Sequence, residues 1–396
     1  MKTVKKTLLG LAVVACLVTV VGCSQRPLAP GARLQSIVSA QLSGTVRNCV
    51  LSISTGDRSF SWSGAAGVTG QALMTSQTPI YIASVTKLYT AAVVMHLCEK
   101  GVLNLEDPMV KYLPGRVVKG IHVYKGKDCT DQVTIRQLLS HSSGIGDYYD
   151  QKGRDGKSLF ETFVENPDRR WTVDQTIDRA RNDLQANFPP GEGTFYSDTN
   201  YQLLGKIIEA VTGESLAQSY AEVIFLPLGL KHTWLLGHGG ESSAEASEVP
   251  SGVPAEVFLK GVDITRVRSN GSYWADGGIV STADEMIAVL MALNEGRIVS
   301  RGTLARMHDW RAWHFPLKYG LGTMFFSFPQ PMRGLLKLPP LWGHSGSTGS
   351  FLYYCEDRDL YLAGTLDQAE ARVAPFMLMY RAIAAVPKVG TASGAM

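Results

Sequence analysis

The chain predicts an α+β fold: an antiparallel β-sheet flanked by helices, with an all-helical domain inserted into it. Three observations carry this expectation. Alternating strand-like runs stand near the N-terminus, and strands return only near the C-terminus. Between them, residues 105–265 mix helical runs with turn signals and lack strong strands. The fold is expected over about residues 35–385. Its sheet part is about 35–104 and 266–385, its helical part about 105–265, and 386–396 form a tail. With 396 residues, 45% hydrophobic and 18% charged, the chain can bury one large core or two domains and is not disordered. No internal repeat is visible, which argues against a solenoid or propeller.

Residues 1–22 are read as an export signal outside the fold. Lys2, Lys5 and Lys6 precede an uncharged apolar run from Leu8 to Val21, shorter than the roughly 18 residues a spanning helix needs. The run ends at Val20-Val21-Gly22-Cys23, which resembles the lipobox of bacterial lipoproteins. The resemblance implies cleavage before Cys23 and acylation of its thiol and new amino group. The exported chain would then be held at a membrane by more than one acyl chain, facing the periplasm or the cell surface. A Gram-negative source would place it at the outer membrane. An ordinary cleaved signal followed by a chance cysteine is the plainer alternative. Residues 23–34, with Pro27, Pro30 and Gly31, read as a short tether.

Cys49 to Ser54 and Ser59 to Ser63 alternate as strands around a Thr55-Gly56-Asp57 turn, which predicts a hairpin. Leu88, Ala91, Ala92, Met95 and Cys98 recur at helical spacing, so a long helix is expected over Ser84 to Lys100, closed by Gly101. Further helices are expected at Val133–Ser140, Val173–Ala186 and Asn200–Val211, the last with Gly213 just beyond its end. Residues 237–253, rich in Gly, Ser, Glu and Pro, read as an exposed loop. Phe351–Tyr354 and Leu360–Thr365 are the returning strands, and about Ala371–Ala385 is a final helix.

The net charge of +3 equals the three lysines of the signal, so the remaining chain is neutral. A neutral surface offers no footprint for a phosphate backbone, and nucleic acid is not an expected partner. Besides Cys16 and Cys23 there are Cys49, Cys98, Cys129 and Cys355; export permits disulfides, and the sequence leaves their pairing open. Cys98, inside an apolar helical run, reads as a small core residue. No spacing of Cys or His suggests a metal, and no cofactor is expected.

Three stretches carry chemistry. Ser84 and Lys87 stand three residues apart at the start of the longest predicted helix, so hydroxyl and amine share a face beside free backbone N–H groups. A serine with an amine at hand is a candidate nucleophile, although Ser-x-x-Lys also arises by chance. Phe188-Pro189-Pro190-Gly191 then leads to Tyr196-Ser197-Asp198 just before another helix. Tyr196 is a candidate proton carrier if a cation such as Lys87 stands beside it; otherwise it is a half-buried aromatic bonding through its hydroxyl. Asp198 reads either as a site residue or as a helix N-cap. Finally, His344-Ser345-Gly346-Ser347-Thr348-Gly349 precedes two strands. Its glycines would let a ligand approach, and an edge strand there could hold an extended substrate. Alone it would be a glycine-rich turn with a surface histidine. His141, and Asp276 before Gly277-Gly278, read as structural.

The three stretches together, in this order, resemble the serine β-lactamase and penicillin-binding-protein superfamily, in the branch of class C β-lactamases, D-alanyl-D-alanine carboxypeptidases, D-aminopeptidases and related esterases. Ser84-x-x-Lys87 is similar to that family's first motif, Tyr196-x-Asp198 to its Tyr-x-Asn and His344-Ser345-Gly346 to its Lys-Thr-Gly or His-x-Gly. Leu138 to Gly144, Pro227 to Leu230, Gly277 to Thr282 and Tyr319 to Gly322 are similar as well. The resemblance implies the β-lactamase/transpeptidase-like fold, with a site between sheet and helical parts. It implies acylation of Ser84 by a small peptide, amide or ester, with Lys87 and Tyr196 sharing the proton work. The backbone N–H groups of Ser84 and Ser347 would form the oxyanion hole, and Asp198, His344, Ser345 and Gly346 would bind substrate. D-peptide cleavage or esterase activity is expected ahead of β-lactam hydrolysis. A fold-retaining binding protein of the cell envelope with little turnover is the alternative of another kind. Two departures bear on this. Histidine at 344 is mostly neutral at pH 7 where classical β-lactamases carry a lysine cation. Aspartate at 198 would hold Lys87 protonated and favour a Lys-assisted Tyr196 as base.

Overall fold

The computed structural model describes residues 28–42, 44–236, 254–265, 271–369 and 373–387. The signal, residues 23–27 with Cys23, the 237–253 loop and residues 388–396 of the tail lie outside these residues. The tether expected over 23–34 is corrected at its far end, where Pro30–Ser39 is a helix that begins at a proline and buries Leu34 and Val38 against the sheet. Among the described residues no helix is long and apolar enough to cross a membrane.

A nine-stranded antiparallel sheet is assembled from the two ends of the chain. In spatial order its strands are Arg311–His314, Leu317–Tyr319, Met324–Phe326, Leu341–Ser345, Phe351–Cys355, Leu360–Thr365, Asn48–Thr55, Ser61–Thr69 and Ala72–Leu73. Asn48–Thr55 is buried along its whole length because both its faces are covered. On one face lie the Pro30–Ser39 and Ala374–Ala385 helices, around Leu34, Val38, Leu51, Phe351, Phe376 and Met379. On the other lie the Ala283–Glu295 helix and, beyond it, the larger core of Leu88, Val93, Leu204, Ile208 and Leu290. The hairpin predicted at 49–63 is present and longer, at 48–69.

The predicted helices appear as Thr86–Glu99, Ile135–Leu139, Val173–Asp183 and Asp198–Thr212, with Gly101 and Gly213 both left-handed at their ends. Three further expectations are corrected. The helical part contains short hairpins at Val123–Asp128 and Phe258–Asp263, and its Trp234–Leu235 strand pairs with Ile279–Ser281, which pairs in turn with Ile80–Tyr81. The third motif is itself a strand, interior to the sheet, because Leu341–Gly343 pairs with Met324–Phe326; that pairing stops at Gly343 and leaves the end from His344 onward open on one side. Asp198 is not the helix N-cap: Ser197 holds that place and Asp198 begins the first turn. Cys49, Cys98, Cys129 and Cys355 are free thiols, and burial pushes Cys49, Cys98 and Cys355 above the usual thiol range.

Candidate active site

The three motifs meet in one cleft of about 280 Å³ lined by Ser84, Tyr196, Asp198, Asp276 and Ser345 to Gly349. Ser84 occupies a single 3-10 turn, Ala83–Val85, that feeds the Thr86–Glu99 helix. Ala83 is left-handed, with φ +45°, a conformation that costs a non-glycine residue roughly 1–2 kcal/mol. The turn is held because Ile80–Tyr81 is paired to Ile279–Ser281 and because Val85 N–H bonds Ile82 O. The strain therefore sits at the residue before the nucleophile, where it aims the hydroxyl into the cleft.

One helical turn on, Lys87 is completely buried. Its ammonium has three N–H groups, and each has an acceptor. They are Ser84 Oγ at 3.0 Å, the Asp276 carbonyl oxygen at 2.7 Å and Asp198 Oδ1 at 2.5 Å. Burial alone would lower its pKa, but Asp198, Tyr196 and Asp276 outweigh it and hold the amine above the ordinary lysine range. Lys87 also stands 4.9 Å from the centre of the Tyr196 ring. Burial raises the Tyr196 phenol above its usual value, while Lys87 and hydrogen bonds to Ser84 and Lys87 pull it back in part.

The Tyr196 segment is pinned from below by the 141–147 loop. Phe195 N–H bonds His141 O, Ser197 N–H bonds His141 Nδ1 at 3.1 Å, and Asp198 N–H bonds Asp147 Oδ1 at 2.9 Å. His141 packs its ring 4.2 Å from that of Tyr196, and Trp313, from the edge strand of the sheet, stacks on Tyr196 at 5.2 Å. His141 is thus structural, as expected, and burial holds it well below its ordinary pKa. Asp276 is structural too: its Oδ1 accepts Trp274 N–H, its Oδ2 accepts the Tyr148 hydroxyl, and burial with Asp198 nearby raises its carboxyl to about 6.

The third motif is laid directly on the nucleophile turn. A Cβ at Gly346 would stand 2.5 Å from Ile82 O and 2.1 Å from Ser350 Oγ, so only glycine permits the approach. Ser350 Oγ donates to Ile82 O and Thr348 Oγ1 to Tyr81 O, which sew the loop to the strand before Ser84. Gly346 N–H and Gly349 N–H are taken by carbonyls within the loop, whereas none among the described residues takes the exposed Ser347 N–H.

His344 does not line the cleft, contrary to its expected place among substrate-binding residues. It is fully buried behind Ser345, donating from Nδ1 to Ser345 O at 2.8 Å and accepting at Nε2 from the Tyr319 hydroxyl at 2.9 Å. Burial, with Lys87 nearby, lowers its pKa to about 3, so it is neutral. Cys23 lies outside the described residues. Sequence reasoning missed the Asp276 carbonyl, Trp313, and an aromatic wall of Tyr149, Phe160 and Tyr273 at the far end of the cleft. Only the wall had a signal, in the aromatic-rich loop after Gly146. Among the described residues no cluster of His, Cys, Asp and Glu has the form of a metal site.

Residues 37–385 match the family model described as Beta-lactamase. Penicillin-binding protein 4* of Bacillus subtilis (strain 168) is 36% identical over 172 residues, which is 41% of this chain and 33% of that protein. Penicillin-binding protein 4 of Amycolatopsis lactamdurans is 29% identical over 306 residues, covering 71% of this chain and 69% of that one. The matched segments thus span between a third and about two thirds of these relatives' lengths. Among solved structures, a D-stereospecific amidohydrolase from Streptomyces superposes with a TM-score of 0.68 at 27% identity, covering 86% of this chain and 94% of that one.

Proposed function

The chain belongs to the beta-lactamase family, and from that premise we propose that it is a serine hydrolase that forms an acyl-enzyme at Ser84 on a peptide, amide or ester. The observation that carries the reading is the Lys87 ammonium, buried at the floor of the cleft and bonded to Ser84 Oγ beside Tyr196. Such a hydroxyl is aimed at the cleft and has a proton carrier within contact. Ser84 Oγ attacks the substrate carbonyl. The developing oxyanion is met by the N–H groups of Ser84 and Ser347, by their position on the turn and the loop. Each such donor is worth roughly 100- to 1000-fold in rate. Tyr196 and Lys87 return a proton to the leaving group, and water then releases the acyl group.

Amides or peptides of D-configuration, and esters, are favoured over penicillins. The likeness to a D-stereospecific amidohydrolase supports the first. Against β-lactams, His344 is buried and uncharged, so the third motif presents no cation to a substrate carboxylate. The wall of Tyr149, Phe160 and Tyr273 suits a bulky apolar group on the substrate. We also propose that the protein is an exported lipoprotein anchored through Cys23, on the strength of the Val20-Val21-Gly22-Cys23 pattern. Incorporation of an alkyne fatty acid in cells, lost on Cys23→Ala, tests that.

The activity is tested with chromogenic D- and L-aminoacyl amides, p-nitrophenyl esters, a D-Ala-D-Ala peptide and a penicillin, each with wild type and Ser84→Ala. Turnover of a D-amide or ester that disappears in Ser84→Ala is expected. Turnover that survives the substitution, or none with any substrate and no adduct, overturns the reading.

A further inference from the structure

We infer that Asp198 is the terminal acceptor of the Ser84 proton, reached through Lys87, in the acylation proposed above; the inference rests on that reading. The hydrogens on Lys87 point to it. All three N–H groups of the Lys87 ammonium are engaged, by Ser84 Oγ, by a backbone carbonyl and by the Asp198 carboxylate. In this state Lys87 has no lone pair to offer Ser84. It gains one only by passing a proton to one of these three acceptors or to the Tyr196 hydroxyl, which also bonds Ser84 and Lys87. Ser84 Oγ is the group that must lose a proton, and an amide carbonyl is not basic enough to hold one. The carboxylate, at 2.5 Å, is the remaining choice. The Tyr196 hydroxyl touches both groups, but a phenol that already carries its proton cannot hold a second one, and burial outweighs Lys87 in keeping that proton in place.

The step balances. One Nζ–H proton moves to Asp198 Oδ1, and the freed Nζ lone pair takes the Ser84 proton as Oγ bonds to the carbonyl carbon. The intermediate then holds an ammonium, a protonated Asp198 and an oxyanion. On collapse the ammonium gives a proton to the leaving nitrogen or oxygen, the carbonyl re-forms, and the Asp198 proton returns to Nζ. Asp198 retains 15% side-chain exposure at the cleft wall, so it can also exchange protons with water. An asparagine here keeps the shape and the contact but cannot hold a proton.

The groups facing Asp198 are Lys87 from the nucleophile helix, Asp147, Tyr148 and Tyr149 from the loop below, Tyr196 from its own segment, Tyr273 and Asp276 from the loop across the cleft, and Tyr319 from the sheet. Lys87 is the cation among them, and the other carboxyls are raised by burial and by Asp198 itself.

The experiment follows the acylation phase with a p-nitrophenyl ester from pH 5 to 10 in wild type, Ser84→Ala, Asp198→Asn and Asp198→Glu, with thermal melts to compare folding. Ser84→Ala gives no burst. Asp198→Asn is expected to acylate about 100-fold more slowly at pH 7 and to recover at alkaline pH, where Lys87 loses a proton unaided. Asp198→Glu is expected to restore part of the rate with the wild-type pH profile. A proton inventory in mixed light and heavy water supplies a reading on wild type alone: two protons in flight are expected, and one contradicts the relay. Asp198→Asn acylating at the wild-type rate or faster, with an unchanged pH profile, overturns the assignment while leaving the acyl-enzyme intact. Absence of a burst in wild type removes the acyl-enzyme reading first, and the relay with it.

Discussion

Lys87 stands between two unlike environments. On its cleft side are carboxyls: Asp198 in direct contact, with Asp276 and Asp147 around them. On its sheet side is a layer of His141, His344, Tyr201 and Tyr319, joined by hydrogen bonds of the Tyr319 hydroxyl with His344 Nε2 and with the Tyr201 hydroxyl, and by the His141 ring against that of Tyr319. The first side stabilises a charge; the second excludes one. Both histidines are kept uncharged by burial and by the same ammonium that the carboxyls hold in place. The contrast teaches that the positive charge of this site is carried by the lysine under the nucleophile and not by the histidine of the third motif.

Removing the charge has the largest effect. Lys87→Met leaves Asp198 facing a buried apolar chain, and loss of one partner from a buried pair costs about 3 kcal/mol. Turnover is expected to fall by about 1000-fold or more, because Ser84 loses its proton carrier. Urea titration and ester hydrolysis measure the two losses; a stable, active variant would mean that the ion pair is incidental.

The histidine layer gives a smaller and opposite effect. The folded protein keeps His344 uncharged down to about pH 3, whereas the unfolded chain takes up that proton near pH 6.5. The unfolded state therefore binds more protons between those values. Stability contributed by His344 is level above about pH 6.5 and falls as the pH drops toward 3, by about 2 kcal/mol at pH 5. His344→Gln can still donate to Ser345 O and accept from Tyr319, and it has nothing to titrate. Its melting temperature is expected to drop less than that of wild type between pH 7.5 and 5. Equal drops would show that His344 already carries a proton in the folded state.

The two sides of Lys87 were not equally legible beforehand. Ser84 and Lys87 were readable because helical spacing alone brings positions three apart onto one face, and Tyr196 because Pro and Gly mark a loop before a helix. His344 misled because neighbouring positions on a strand face opposite sides of the sheet. With Ser345 at the cleft, His344 turns into the packing. The Asp276 carbonyl left no trace, since any residue supplies one. Trp313 lies on a four-residue, largely exposed strand, too short and too polar to announce itself. In the fold, predicted helix ends lie within three residues of the observed ones. The Leu317–Tyr319 and Met324–Phe326 strands are three residues each, too short for an alternating pattern to show.

An exposed ion pair far from the cleft gives the smallest effect. Lys157 and Glu165 make an ion pair as short as 2.6 Å, close to that of Lys87 and Asp198, but both side chains are about half exposed. Water screens such a pair. Glu165→Gln is expected to leave melting temperature and turnover unchanged within error, and a clear loss in either would mean that length, and not burial, sets the worth of an ion pair here.

The most direct measurement is peptide mapping after labelling with a fluorophosphonate or a slowly released ester, read by tandem mass spectrometry. The expected result is a single adduct on the hydroxyl of Ser84, lost in Lys87→Met. An adduct on any other residue, or labelling of Ser84 that is indifferent to Lys87, would contradict a nucleophile that depends on the buried ammonium beneath it.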